Sequence, residues 1–213
     1  MKPGNTVAVE EMFNSISSKY DFLNDMFSFG LHRLWKKKLL DLLNPTLGEK
    51  WIDLCCGTGD MSILLARYMQ SSENITGIDS ASQALAVARE RSKESFSAIE
   101  WINCDALKTN FPFNQFDGLL MAYGLRNLSN YEAGLREAFR ILKPGGRAGI
   151  LDFRSFQGVS IQGFFQNFFL SLYVVPIASI FGLGKEYSYI KKSLVTFPSG
   201  AEQIHLALSV GFR

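Results

Sequence analysis

Short apolar runs alternate with helical patterns between residues 49 and 153. The apolar runs have the length of strands, and between them apolar residues recur every three or four positions. This alternation is typical of parallel β-α-β units, so we predict a doubly wound α/β sheet with helices on both faces. The predicted strands cover residues 50–54, 74–79, 99–103, 116–122 and 147–152.

Three helices are predicted between these strands, at residues 60–70, 81–93 and 131–142. Ser129 and Glu132 have the S-x-x-E spacing of a capping box, which predicts the start of the third helix. The sequence K-P-G-G at 143–146 predicts its end, because proline cannot continue a helix and glycine tolerates a positive φ.

Two helical segments flank this core. Residues 1–48 are predicted to form an N-terminal helical cap, whose periodic pattern stops at Asn44 and Pro45. Residues 154–213 are predicted to form a C-terminal helical segment that contacts substrate. With the cofactor-binding core at 49–153, they make a single domain over residues 1–213, and two small domains are the alternative at this length.

Residues 155–184 contain no charged side chain. A run of this length could span a bilayer. Glutamines, glycines and Pro176 interrupt the run and argue against a spanning helix. A buried helix over the sheet is one alternative. Because eight of the 18 phenylalanines lie between Phe153 and Phe197, a channel for an isoprenoid tail or a surface resting on a membrane is the other.

Charge and cysteine content exclude some classes of function. Lys and Arg number 22 against 20 Asp and Glu, so the net charge of +2 gives no reason to expect nucleic acid. The three cysteines form no C-x-x-C pair, and no apolar run of signal-peptide length precedes Glu10. We therefore expect a cytoplasmic protein with free thiols.

The strongest chemical signal is the sequence D-L-C-C-G-T-G-D from Asp53 to Asp60, which follows a predicted strand and opens a predicted helix. Gly57 and Gly59 would let the backbone approach a ligand closely. Asp79, twenty residues after Gly59, ends the second strand and can accept hydrogen bonds from two ribose hydroxyls. The pattern predicts a nucleotide-cofactor loop, and the alternative is a tight turn without a ligand.

The charges near the loop favour one cofactor. A dinucleotide would place pyrophosphate beside Asp60 and needs a third glycine that is missing. S-adenosylmethionine carries a net positive charge, which suits Asp53 and Asp60, and its carboxylate could bind backbone N–H groups near Thr58 and Gly59. Asp105 and Ala106, after the third strand, are placed to reach adenine, although Asp105 could also be a loop carboxylate or a helix cap.

Five motifs together resemble the ubiquinone/menaquinone-biosynthesis C-methyltransferase family. They are D-L-C-C-G-T-G-D at 53–60, G-L-H-R-L-W-K at 30–36, Y-G-L-R-N at 123–127, L-K-P-G-G-R at 142–147 and S-x-x-Y-D-x-L-N-D at 17–25. The resemblance implies a class I, Rossmann-like methyltransferase that uses S-adenosylmethionine, with Tyr123 at the cofactor. Residues 174–200 are more similar to the cyanobacterial and plastid members, which implies a prenylated naphthoquinol substrate, demethylphylloquinol or demethylmenaquinol.

Methylation of a quinol ring carbon requires a base, which can act through water, and a cation beside the phenolate. Arg126 and Asn127, directly after the fourth strand, are the candidates for the catalytic site, and Tyr20 in the N-terminal cap could orient the quinol. Arg126 could instead tie a loop to a carboxylate, and Tyr20 could be a core residue. No metal is expected.

Other polar residues carry weaker hypotheses. His32 is expected to be structural, with a role as base as the alternative. Lys36, Lys37, Lys38 and Arg33 are expected on a solvated face, or against anionic lipid headgroups in a peripheral membrane contact. Another O- or N-directed methyltransferase, or an inactive cofactor- or lipid-binding module, remains an alternative function.

The last residues, Gly211 to Arg213, lie where the family's C-terminal strand hairpin should begin. We therefore expect the hairpin to be missing and the sheet to have five strands. The edge of the strand at 147–152 would then be open, covered by helices, or completed by another chain in an oligomer.

Overall fold

A five-stranded parallel sheet forms the centre of the computed structural model, which describes residues 10–11, 25, 28–153, 168, 170–180, 184, 189 and 193–213. All neighbouring strands run parallel, in the order β3-β2-β1-β4-β5. The predicted doubly wound sheet is confirmed. The strands are β1 Trp51–Leu54, β2 Ile75–Asp79, β3 Glu100–Asn103, β4 Phe116–Ala122 and β5 Leu142–Leu151.

Helices connect the strands and extend beyond β5. The three helices predicted between strands begin and end within one residue of the observed helices. A 3₁₀ turn at Leu125–Asn127 follows β4, and a π-helical turn spans Leu170–Val174. The helices are α1 Leu31–Leu43, α2 Asp60–Met69, α3 Ser82–Ser92, α4 Tyr131–Ile141, α5 Val175–Ile180 and α6 Gly200–Val210.

Both faces of the sheet are covered, as all-parallel sheets require. On one face, Leu40 of α1 and Leu65 of α2 belong to the same buried cluster as Trp51. On the other face, Leu135 of α4 and Val210 of α6 join the cluster that contains residues of β1 and β4. The helices leave the ends of the strands accessible, and the site forms at one of these ends.

The start of α4 differs from the prediction. Asn130, not Ser129, is the N-cap, and its side chain accepts a hydrogen bond from the Ala133 N–H. Glu132 pairs instead with Arg136, one turn along the helix. The predicted capping box is therefore wrong, because a neighbouring asparagine caps the helix equally well. The structure has a capping box elsewhere, between Ser199 and Glu202 at the start of α6.

The K-P-G-G segment ends α4 as predicted, but it lies within β5 and does not precede it. Leu142 already pairs with Phe116, and the register then shifts before Arg147 pairs with Gly118. Gly145 has a φ of +79°, which accommodates this irregularity. The strand therefore begins earlier than residue 147.

The flanking segments are described only in part. α1 ends as predicted at Asn44, whose φ of +46° terminates the helix before Pro45. Most of the N-terminal cap before residue 28, and residues 155–167 of the uncharged run, lie outside the described residues. Among the described residues, no strand follows β5, and β4 is its single strand neighbour.

Two further observations concern the whole described part of the chain. No described helix is both long enough and apolar enough to cross a bilayer. The three cysteines are free thiols.

Candidate functional site

A cleft opens at the carboxyl ends of β1 to β4, where the strand order reverses between β1 and β4. This is the usual position of ligands in open α/β sheets. The cleft encloses about 1060 Å³ when its open mouth is included. Eight of the predicted site residues line it: Asp53, Gly57, Thr58, Asp79, Asp105, Ala106, Tyr123 and Asn127.

Two predicted site residues are placed differently. Gly59 and Arg126 are not among the residues that line the cleft. Tyr20 lies outside the described residues, so its proposed role in orienting substrate stays a prediction.

The loop between β1 and α2 is a series of left-handed backbone conformations. Cys55, Gly57 and Gly59 have φ values of +57°, +54° and +79°. A Cβ built on Gly57 would meet no atom within 4 Å, so this residue presents bare backbone to open space in the cleft. The expectation that Gly57 allows a ligand to approach the backbone therefore fits the structure.

Gly59 has a different reason to be glycine. A Cβ there would lie 2.5 Å from the Trp101 ring and 2.9 Å from the Ala88 Cβ. Gly59 also caps α2 with its positive φ. Close packing of the loop against β3 and α3 therefore requires a glycine here, and the predicted ligand contact of Gly59 stays a prediction. A glycine spacing cannot distinguish these two roles.

Asp79 holds the glycine loop in place. Its Oδ2 accepts a hydrogen bond of 2.8 Å from the Gly57 N–H, and its Oδ1 accepts one of 2.8 Å from the Ala81 N–H. Burial raises the pKa of Asp79, and these backbone hydrogen bonds oppose the rise. Each carboxylate oxygen has a second lone pair, so the carboxylate can still accept bonds from a ribose.

Asp53 is the most unusual group in the cleft. It is 1% exposed, and its Oδ2 accepts a hydrogen bond of 2.7 Å from Ser62 Oγ. Its Oδ1 is buried and has no hydrogen-bond partner among the described residues. Burial raises the pKa of Asp53 to about 7, against the opposing effects of Ser62 and Lys36. An orphaned carboxylate oxygen facing a cleft fits a cationic ligand group.

Lys36 is a site residue that the sequence interpretation missed. The expected solvated face is correct for Lys37 and Lys38, but Lys36 is 5% exposed, lines the cleft and pairs with Asp60. The helical spacing of α1 could have indicated that Lys36 faces inward. The buried residues of α1 are His32, Lys36, Leu40 and Leu43, a spacing that places Lys36 on the inner face of the helix.

The charge of Asp60 is compensated in the structure. Lys36 bonds its Oδ2, and the Arg91 guanidinium lies 3.2 Å from its Oδ1. Asp60 therefore does not repel a phosphate as strongly as the sequence suggested. The acidic character of the cleft comes instead from Glu10, Asp53, Asp79 and Asp105.

Asp105 lies at the exposed rim, and its Oδ1 accepts a hydrogen bond of 2.9 Å from the Leu107 N–H. It thus forms a local turn of the loop and also lines the cleft with the buried Ala106. Both interpretations of Asp105 are therefore compatible with its position.

The loop after β4 is organised around Tyr123, which has a φ of +60°. Its N–H donates to the Leu151 carbonyl at 2.6 Å, and its own carbonyl accepts bonds from Arg126 and Asn127. The ring lines the cleft and packs against Phe153 at a centroid distance of 5.3 Å. These contacts hold a backbone conformation that is costly for a residue with a side chain.

Arg126 and Asn127 face different environments. The Arg126 guanidinium is buried, pairs with Asp152 at 2.7 Å and lies over the Phe153 ring. This geometry matches the alternative in which Arg126 ties a loop to a carboxylate. Asn127 donates to the Tyr123 carbonyl at 3.0 Å, and its buried Oδ1 has no hydrogen-bond partner among the described residues. Asn127 therefore offers a free acceptor at the cleft.

His32 has the contacts of a structural residue. Its Nδ1 lies 2.8 Å from Ser28 Oγ, and its Nε2 lies 3.6 Å from Asp25. Burial and the nearby Lys36 cation lower the pKa of His32. It is not among the residues that line the cleft.

Sequence comparison gives a full-length match. Residues 1–213 match the profile of the ubiE/COQ5 methyltransferase family. The 2-phytyl-1,4-naphtoquinone methyltransferase of Nostoc punctiforme is 42% identical over 97% of this chain and 90% of that protein. The chloroplastic 2-phytyl-1,4-beta-naphthoquinone methyltransferase of Arabidopsis thaliana is 39% identical over 94% of this chain and 78% of that protein.

Solved structures share the fold at lower identity. The [4+2]-cyclase SpnF has a TM-score of 0.64 at 21% identity, covering 76% of this chain and 65% of that chain. A Haemonchus contortus phosphoethanolamine N-methyltransferase in complex with S-adenosyl-L-methionine has a TM-score of 0.63 at 19% identity, covering 83% of this chain and 36% of that chain. At these identities the likeness concerns the fold alone.

We predict that Asp53→Asn stabilises the ligand-free protein, and more so at pH 8 than at pH 5. An unfolded aspartate has its usual pKa of 3.8, whereas the folded pKa is about 7. The native state therefore binds more protons across this window and loses stability as the pH rises, while asparagine mimics the protonated form. The gain in unfolding free energy should grow by on the order of 2 kcal/mol between the two pH values.

Denaturant unfolding at both pH values measures this difference. Asp105→Asn, at the exposed rim of the same cleft, controls for the loss of a negative charge. A gain for Asp53→Asn that is the same at pH 5 and pH 8 would contradict a raised pKa.

Proposed function

The chain belongs to the ubiE/COQ5 methyltransferase family, and we propose that it transfers a methyl group from S-adenosylmethionine to a ring carbon of a prenylated naphthoquinol. As a member of this family it is an S-adenosylmethionine-dependent methyltransferase. The substrate proposal is carried by the near-full-length identity to enzymes named for 2-phytyl-1,4-naphthoquinone. The reaction would convert demethylphylloquinol to phylloquinol, or demethylmenaquinol to menaquinol.

The residues of the cleft fit the cofactor group by group. Asp79, at the end of β2, can accept bonds from the two ribose hydroxyls, and Asp105 and Ala106 lie at the end of β3 for the adenine. The orphaned Oδ1 of Asp53 fits the methionine ammonium. A cleft with more carboxylates than cations suits a ligand with a net positive charge. When bound, the sulfonium of this cofactor supplies an activated methyl group.

The reaction needs little beyond positioning and control of one proton. As the quinol hydroxyl loses its proton, the adjacent ring carbon gains electron density. That carbon then forms its bond to the methyl carbon while the bond from carbon to sulfur breaks, and the ring carbon finally loses its hydrogen. The protein must hold the ring and methyl in line and stabilise the phenolate.

Asn127 is placed to help hold the quinol ring in line with the methyl group. Its free Oδ1 can accept a hydrogen bond from a quinol hydroxyl, because the amide NH₂ is already fixed by the Tyr123 carbonyl. An amide cannot take the proton itself, so a water or a carboxylate must receive it. Arg126 stays the candidate cation for the phenolate, and its ion pair with Asp152 would have to open toward the cleft or act through Tyr123.

The substrate proposal predicts which acceptors are methylated. With cofactor carrying an isotopically labelled methyl group, the reduced 2-prenyl-1,4-naphthoquinol should gain the label on a ring carbon, and the oxidised quinone should not, because it has no hydroxyl to ionise. Product analysis by mass spectrometry and NMR measures this outcome.

A prenylated benzoquinol and simple phenol and amine acceptors, tested in parallel, complete the assay. Preferred labelling of the benzoquinol would reassign the ring type, and labelling at oxygen or nitrogen would favour another methyltransferase. Cofactor binding without turnover on any quinol would indicate an inactive cofactor-binding module.

The roles of Arg126 are separable by a paired substitution. We expect Arg126→Gln alone to lower the melting temperature, because it leaves the Asp152 carboxylate buried without its cation, at a cost of about 3–5 kcal/mol. Adding Asp152→Asn should recover much of the stability. If Arg126 stabilises the phenolate, turnover stays low in the double variant. Recovery of turnover together with stability would assign Arg126 the structural role alone.

We propose in addition that the outer face of α1 rests on an anionic membrane surface. Leu34 and Leu42 are 63% and 74% exposed, and Trp35 lies beside them. Lys37 and Lys38 on the same helix are exposed, so basic groups flank the apolar stripe. The inner face of the same helix lines the cleft through Lys36. A substrate dissolved in lipid would then reach the cleft from the membrane.

This surface predicts binding to vesicles that contain anionic lipids, measured by co-sedimentation. Leu34→Ser with Trp35→Ser should weaken binding severalfold, and Lys37→Glu with Lys38→Glu should remove the dependence on anionic lipid, at about 1 kcal/mol per lysine. Phe113→Ser is a matched control, because Phe113 is 71% exposed but lies at the amino end of β4, away from the cleft. Equal binding of all variants would contradict the proposed surface.

A further inference from the structure

The amides of the glycine loop are largely occupied within the protein. The Gly57 N–H donates to Asp79 Oδ2, and the Gly59 N–H donates to the Cys56 carbonyl at 2.9 Å. The Cys56 N–H donates to the Ile78 carbonyl at 2.9 Å. The Gly59 amide, one of the N–H groups expected near the cofactor carboxylate, thus already has an acceptor within the loop. A donor outside these three amides would therefore suit a carboxylate placed in this cleft.

Lys36 is the only lysine or arginine among the described residues that line the cleft. Its ammonium has three N–H donors, and Asp60 Oδ2 accepts one of them. Among the described residues no other hydrogen-bond acceptor contacts Nζ, although the Tyr123 ring lies 5.8 Å away. A buried ammonium with donors to spare, at the wall of an otherwise acidic cleft, is suited to an anionic ligand group.

We propose that Lys36 binds the carboxylate of the methionine part of S-adenosylmethionine, and that Asp60 is the positioning residue that holds its ammonium at the cleft. This inference rests on the proposed use of that cofactor. The ligand has a nucleoside, an ammonium and a carboxylate. Asp79 and Asp105 suit the nucleoside, and Asp53 suits the ammonium. Lys36 then remains for the carboxylate.

Arg91 makes this assignment electrostatically consistent. Its guanidinium also contacts Asp60, at 3.2 Å, and donates to the Thr58 carbonyl at 2.9 Å. Asp60 is thus shared by the cations of Lys36 and Arg91. The Asp60 carboxylate therefore does not cancel the attraction of Lys36 for a ligand carboxylate.

A pair of ligands isolates the proposed contact. S-adenosylmethionine and its decarboxylated analogue share the nucleoside, sulfonium and ammonium and differ in the carboxylate alone. Isothermal titration calorimetry on the full chain should show that Lys36→Met weakens the first by roughly ten- to hundredfold, the range for a hydrogen bond to a charged group. The affinity for the analogue should be unchanged or improved.

Two control variants complete the experiment. Lys38→Met, on the exposed side of the same helix, should alter neither affinity. Lys36→Arg should keep the preference for the carboxylated ligand, and it serves as the test if Lys36→Met does not fold. For Asp60→Asn we expect a smaller loss that is again confined to S-adenosylmethionine.

The outcomes are distinguishable. Equal weakening of both ligands by Lys36→Met, or loss of the preference in Lys36→Arg, would overturn the contact and leave Lys36 as a strut between α1 and the loop. If the unmodified protein binds neither ligand, the proposed cofactor itself is wrong.

Discussion

The parallel direction of all five strands is the constraint on which the site depends. It brings the ends of β1, β2, β3 and β4 to one edge of the sheet, so that residues far apart in the chain line one cleft. The chain must turn sharply after β1 and β4. Cys55 and Tyr123 take positive φ values at these turns, and both loops are held by N–H groups that donate to carbonyls of neighbouring strands. The protein's own hydrogen bonds therefore shape the cleft.

Charge in the cleft is arranged at a cost to the protein's own stability. Asp53 is buried without a cation bonded to it and has a pKa of about 7, so its ionised form is disfavoured without a ligand. Asp60, at the other side of the loop, is held by Lys36 and Arg91. Among the described residues, the site thus leaves one carboxylate without a bonded cation and places two cations on another. This pattern complements a ligand that carries an ammonium and a carboxylate on one carbon.

Helix α1 connects the two surfaces that the proposed reaction needs. Its inner face packs on the sheet and contributes Lys36 to the cleft, while its outer face exposes Leu34 and Leu42 beside basic residues. Substrate access from lipid and cofactor binding would then involve the same helix.

The sequence by itself determined the order of the elements, the five-stranded sheet and most of the cleft. Local rules suffice for these features, because apolar periodicity marks each element, and Asp53, Gly57 and Asp79 stand at strand ends that a parallel sheet must bring together. Only the tertiary structure decided which side chains meet. Gly59 packs against Trp101, Arg126 pairs with Asp152, and Lys36 turns inward to Asp60. Such pairings depend on contacts between distant segments, to which local sequence patterns are insensitive.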